Sequence, residues 1–164
     1  MANDFIGVLE LLIDHNVEFI LVGGLAASAY GSPQVTQDVD ICIDLSLKNI
    51  VRLKKAMAAI KPVHRMHPSK PPFNDEPSRL ETFRNIYLST EYGQIDCLGE
   101  IMGIGSFKET LESSTELEIR GKKCRIITLE ALIKSKEALG RPKDKEAVVI
   151  LKALLEKTAK SRIS

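Results

Sequence analysis

No apolar run in the 164 residues approaches the roughly 18–20 needed to cross a bilayer as a helix, so no membrane span is expected. Cysteine is scarce and odd in number. Cys42, Cys97 and Cys124 are widely separated, and no two have metal-ligand spacing. That excludes a disulfide scaffold and a zinc site, and leaves reduced, mostly buried thiols in a cytosolic protein. The first residues lack a basic patch followed by an apolar stretch, so no signal peptide is expected and the expected location is the cytoplasm. Charge of one sign is lacking too. A net charge of +1 excludes a chain that coats nucleic acid by charge alone, though it leaves room for a local basic patch. Internal repeats are absent.

What is present is ordinary for a globular protein: 44% hydrophobic and 27% charged residues. A chain of this size buries about 70% of the surface its unfolded form exposes, so it needs no staple to fold. Residues 3 to 15 read as a helix capped by Asn3, with Phe5, Ile6, Leu9, Leu12 and Ile13 at helical spacing. "VEFILV", 17 to 22, reads as a buried strand, and residues 24 to 30 as a short helix ending at Gly31-Ser32-Pro33. "DVDICID", 38 to 44, alternates as a strand. Ser46 then caps a helix from about 47 to 60. Five of the seven prolines lie between Pro62 and Pro77, which predicts a loop at about 62–82, with His64 and His67 as solvated loop residues. Two hairpins follow, around Glu91-Tyr92-Gly93 and at Gly121-Lys122. Thr128 caps a helix over 129–139, Gly140-Arg141-Pro142 breaks the chain, and a last helix runs to about 158. The mixture, without a regular βαβ repeat, predicts an α+β fold with a small mixed sheet flanked by helices. Residues 1–128 form its core, and 129–164 a C-terminal helical segment packed on it.

One stretch carries chemistry. In "VGGLAASAYGSPQVTQDVDICID", 22 to 44, two glycines end a strand, and thirteen residues separate Gly24 from Asp38. Residues two apart on a strand share a face, so Asp38 and Asp40 point one way and Val39 and Ile41 the other. Asp96, in "QIDCL", repeats the device: Ile95 and Cys97 face one side and Asp96 the other. If the two strands are neighbours, three carboxylates meet on one face. Unpaired, they repel and some must protonate. A hard divalent cation, Mg²⁺ or Mn²⁺, removes that penalty and couples carboxylates to substrate phosphates. Gly23-Gly24, opening a helix, lets the backbone approach an anion closely. Together these predict a site for a nucleoside triphosphate and its metal. No histidine lies near the three acids in sequence, which weakens the rival reading of a phosphohydrolase or nuclease.

Gly-Gly, the spacer of thirteen, Asp-x-Asp on a strand and a later single strand Asp resemble the nucleotidyltransferases of the DNA polymerase β superfamily. The small prokaryotic members related to abortive-infection type IV toxin–antitoxin systems are the nearest in look, and residues 105 to 151 are similar to their C-terminal half. The resemblance implies a nucleotidyltransferase fold with C-terminal helices, moving an NMP group from an NTP to a hydroxyl of RNA, a protein or a small molecule. It implies Asp38, Asp40 and Asp96 as metal ligands and catalytic residues, with Asp96 orienting or deprotonating the attacking hydroxyl. Gly23, Gly24, Lys136 and Lys143 are implied to bind the nucleotide, Lys143 and Asp144 matching a Lys-Asp pair that begins the last helix. An antitoxin is the implied partner.

The sequence departs from the pattern at three positions. Tyr30 stands where relatives often have His, Gly24 where many have Ser, and Gln34 where they often have Arg, which removes a permanent charge suited to phosphate. A catalytically inactive interaction module is therefore the alternative. Asp44 reads as a strand-end or cap residue rather than a further ligand, and His15 as a helix-terminal residue.

Overall fold

The computed structural model describes residues 3–163. Its elements run α1 (Phe5–Asp14), β1 (Phe19–Val22), α2 (Gly23–Ala29), β2 (Asp38–Ile43), α3 (Leu47–Met57) with a 3₁₀ turn at Ala58–Ile60, then β3 (Val63–His64), α4 (Pro77–Leu80), β4 (Asn85–Thr90) and β5 (Gly93–Leu98). After them come β6 (Glu100–Ile101), β7 (Gly105–Ser106), α5 (Phe107–Glu112), β8 (Ser114–Ile119), β9 (Lys122–Ile127), α6 (Leu129–Leu139) and α7 (Pro142–Ile163). Among the described residues seven strands form one sheet in the order β3-β4-β5-β2-β1-β9-β8, while β6 and β7 pair separately. The sheet is mixed: β2 runs parallel to β5 and β1 to β9, and the other neighbours are antiparallel. The α+β expectation therefore holds, with a larger sheet than the sequence implied.

Alternation in β2 decides how the sheet is used. Val39, Ile41 and Ile43 are fully buried in the core with Leu9 and Leu12 of α1 and Ile50 and Leu53 of α3. Cys42, on the face of Asp38 and Asp40, meets Thr110 of α5. Asn49 is 1% exposed and staples the sheet to α3. Its amide donates to the Glu18 and Asp44 carbonyls at 3.0 and 2.7 Å and its oxygen accepts from the Glu18 N–H at 2.7 Å. All of its polar atoms are thus satisfied, as burial demands.

Three expectations about caps and turns were corrected. The cap of α1 is Asp4, whose carboxylate accepts from the Gly7 N–H at 2.9 Å, and not Asn3. The backbone of Asp4 pairs with the Tyr92 carbonyl and the side chain of Asn3 lies beside Gly93, so the helix starts one residue later. Ser46 holds the cap position of α3, but its hydroxyl donates to the Asp44 carboxylate at 3.2 Å and caps no amide. The β8–β9 turn is centred on Arg120 and Gly121, with φ of 49° and 80°, one residue earlier than expected. Positive φ at both positions suits the two-residue hairpin twist.

The proline-rich stretch is a folded excursion. Val63 and His64 pair with β4, the His64 N–H donates to the Pro71 carbonyl and the Phe73 N–H to the Pro62 carbonyl, both at 2.9 Å. His64 is not solvated: Nε2 meets Asp75 Oδ1 at 2.5 Å, both side chains are largely buried, and Phe73 stands edge-on to the ring. Lys54 donates to the Asp75 carbonyl. His67 is exposed, as expected.

Candidate active site

Parallel pairing of β2 with β5 places Asp40 directly opposite Asp96, Val39 opposite Ile95 and Ile41 opposite Cys97. The apolar partners face the core, so the acids must face out. Asp38, Asp40 and Asp96 each offer an oxygen within 4.8 Å of the others, and all three are half-buried. Crowding shows in their electrostatics. Burial, then the charges of Asp38 and Asp96, push the Asp40 carboxyl up to about 7. Burial and the Asp96 charge raise that of Asp38, against the pull of Arg65, Lys143 and Lys136. An oxygen-only set of three carboxylates is the donor chemistry of a hard divalent cation. Asp96 Oδ1 is buried and accepts no well-directed hydrogen bond. Arg65 Nη2 stands 2.6 Å from it out of hydrogen-bond alignment, so its acceptor capacity is only partly used, and a cation would complete it. The residues fit Mg²⁺ or Mn²⁺.

The glycines serve this cluster sterically. Gly23 has φ +65°, and a Cβ there would stand 2.8 Å from Asp40 Cβ and collide with its carboxylate. Only glycine lets the strand end turn into α2 while Asp40 keeps its position. A Cβ on Gly24 would lie 2.8 Å from Thr36 Oγ1, which donates to the Asp38 carbonyl at 3.0 Å. The room used by a serine at 24 is thus filled from the next loop. Gly23→Ala is expected to lower stability by about 1–2 kcal/mol for the left-handed backbone alone and to displace Asp40. A thermal melt and a Mn²⁺ titration check it; an unchanged Mn²⁺ affinity would contradict the steric account.

Cations ring the acids. Lys136, 16% exposed, lies 3.7 Å from Asp144 Oδ1, and its charge reaches Asp38 and Asp40. Lys143 is exposed and its charge reaches Asp38. Asp144 is buried and grips Arg141 through Nε at 2.6 Å and Nη2 at 3.2 Å. Arg141, whose charge senses Asp40, was not foreseen. Nor was the contact of Arg65, which puts Nη2 2.6 Å from Asp96 Oδ1. Its basic character was legible in the loop, but nothing in the local pattern indicated a partner on β5. Tyr30 donates to the Ile127 carbonyl at 2.6 Å, and so fastens α2 to β9. Gln34 is half-buried, and its backbone N–H donates to Ser32. Asp44 binds Ser46 and lies outside the acidic cluster.

Residues 78–164, just over half of the chain, match the family described as nucleotidyl transferase of unknown function (DUF2204). The chain belongs to this family. Within this DUF2204 nucleotidyl transferase, the matched stretch contains Asp96, Lys136 and Lys143, while Gly23, Gly24, Asp38 and Asp40 precede it. Two solved structures share its fold. TM1012 of Thermotoga maritima, assigned as a nucleotidyltransferase, is 18% identical, with a TM-score of 0.55 over 92% of this chain and 91% of that one. The lincosamide antibiotic adenylyltransferase LnuA, with lincomycin bound, is 19% identical, with a TM-score of 0.53 over 90% of this chain and 93% of that one. No curated protein matches in sequence. Among the described residues no helix is long and apolar enough to cross a membrane.

Proposed function

We propose that the protein is a divalent-cation-dependent nucleotidyltransferase that moves an NMP group from an NTP to a hydroxyl acceptor and releases pyrophosphate. The observation that carries this reading is the convergence of Asp38, Asp40 and Asp96 across the β2–β5 pair. These residues would hold Mg²⁺ or Mn²⁺, which when bound supplies charge neutralisation at the transferring phosphorus. Lys136, Lys143 and Arg141 draw the triphosphate to the rim, and Gly23-Gly24 allows the backbone to lie close to it. Asp96 orients the acceptor hydroxyl and takes its proton. The acceptor oxygen bonds to the α-phosphorus as the bond from that phosphorus to the pyrophosphate oxygen breaks. In this division of labour residues 1–128 carry the acids, and 129–164 the cationic rim.

The acceptor is an RNA 3′ end, a protein side chain or a small molecule. The antibiotic held by LnuA favours a small molecule. A toxin–antitoxin setting in the cytoplasm, with a protein partner, follows from the resemblance. Gln34, neutral where that resemblance implies arginine, supports a second reading: an interaction module without transfer.

Thermal-shift scans of the four NTPs, with and without Mg²⁺, separate the two. At a hundredfold excess over Kd, a competent site gains about 2.7 kcal/mol of stability. No shift with any Mg-NTP, and no labelled product with RNA, protein or small-molecule acceptors, would sink the enzymatic reading.

A further inference from the structure

We propose that Arg65 is the resident counter-ion of the acidic cluster and that it exchanges with the divalent cation on Asp96. The inference rests on the metal-dependent reading above. It comes from comparing two arginine–aspartate pairs in one molecule. Arg141 and Asp144 make a two-point contact, Nε to Oδ2 at 2.6 Å and Nη2 to Oδ1 at 3.2 Å, in which both carboxylate oxygens are used. That is how a structural pair is satisfied. Arg65 and Asp96 do not match it. One nitrogen, Nη2, touches one oxygen, Oδ1, at 2.6 Å, without hydrogen-bond alignment. The other terminal nitrogen, Nη1, is buried without any acceptor.

The arginine is nevertheless held in place. Its N–H donates to the Tyr87 carbonyl at 3.0 Å, and the guanidinium carbon stands 5.6 Å from the centre of the Tyr87 ring. Tyr87 is the neighbour of Asp96 across β4 and β5. One residue earlier, His64 is locked to Asp75. The backbone is thus fixed, while the charged end is under-bonded at both partners. Such a guanidinium sets a positive charge against the Asp96 carboxylate. A cation on the same carboxylate would face a like charge a few ångströms away, so the two compete. The aromatic face keeps the displaced guanidinium in the cleft. There its free fork meets the anionic oxygens of a nucleotide.

The test uses Mn²⁺ alone, titrated by electron paramagnetic resonance into the wild-type chain, Arg65→Gln and Arg65→Lys at low ionic strength. Arg65→Gln is expected to bind Mn²⁺ about tenfold tighter or more, and Arg65→Lys, which keeps the charge, close to the wild type. In the wild-type chain, the ¹⁵N signals of the Arg65 guanidinium are expected to move as Mg²⁺ saturates the site. That measurement stands even if Arg65→Gln does not fold. Equal Mn²⁺ affinity in the wild type and Arg65→Gln, or a guanidinium signal that Mg²⁺ leaves unmoved, would overturn the exchange and make Arg65 a structural residue. Absence of Mn²⁺ binding in every form would overturn the metal reading with it.

Discussion

Asp40→Asn is expected to cut nucleotidyl transfer by at least about 10²–10³-fold while leaving the fold as stable as before, or more so. Asparagine keeps the shape that Gly23 accommodates, but it loses the charge placed opposite Asp96. The stability expectation follows from the carboxyl itself. Its folded value, about 7, lies above the ordinary 3.8. The proton is therefore bound more tightly in the folded chain than in the unfolded one. The favourable contribution is present below about pH 4 and is lost as the pH rises through about 7. The cost above pH 7 is about 4 kcal/mol at most. Urea denaturation in EDTA at pH 5 and pH 8 should show it in the wild type, and the part due to Asp40 should be missing in Asp40→Asn. Because a cation and a proton compete for the same oxygens, divalent affinity should climb with pH up to about 7 and then level off. A variant that keeps full transfer activity, or a wild type whose cation affinity ignores pH, would remove Asp40 from the metal site.

Asp144→Ala is expected to lose about 1.5–3 kcal/mol of stability and to weaken NTP binding at the same time. Burial pushes this carboxyl up, but the hydrogen bonds and charge of Arg141, with the charge of Lys136, outweigh it and leave it below the ordinary range. Removing the anion leaves Lys136 and Arg141 without the partner that fixes them beside the cluster. A thermal melt checks the first effect, and calorimetry with Mg-ATP at a temperature where the variant is folded checks the second. Loss of stability with an unaltered nucleotide affinity would make Asp144 a helix-start residue only.

The acidic half of the site was legible because it is written in short-range alternation. Val39, Ile41, Ile95 and Cys97 announce a buried face, and the acids between them then have one direction left. Capped helices such as α6, where Thr128 accepts from the Ala131 N–H at 3.2 Å, were legible for the same local reason. What escaped is long-range. Arg65 reaches Asp96 only because β3, β4 and β5 stack in register, and no periodicity in residues 62–82 reports that. His64 looked solvated because its partner, Asp75, lies on the far side of a proline turn. Arg141 read as part of a helix break because that is its local setting; its place beside the cluster comes from an ion pair with a buried acid three residues on.

The parallel join of β2 to β5 has a kinetic meaning. Strands side by side in the same direction cannot be linked by a tight turn, and residues 44–92 must be laid out before Asp40 finds Asp96. Contacts of such high sequence separation are slow to form. The three carboxylates therefore cannot meet until β2 and β5 have paired. A chain in which β2 and β5 have not yet paired has no carboxylate cluster, so any cation captured there should report that join, and its release the breach of the join.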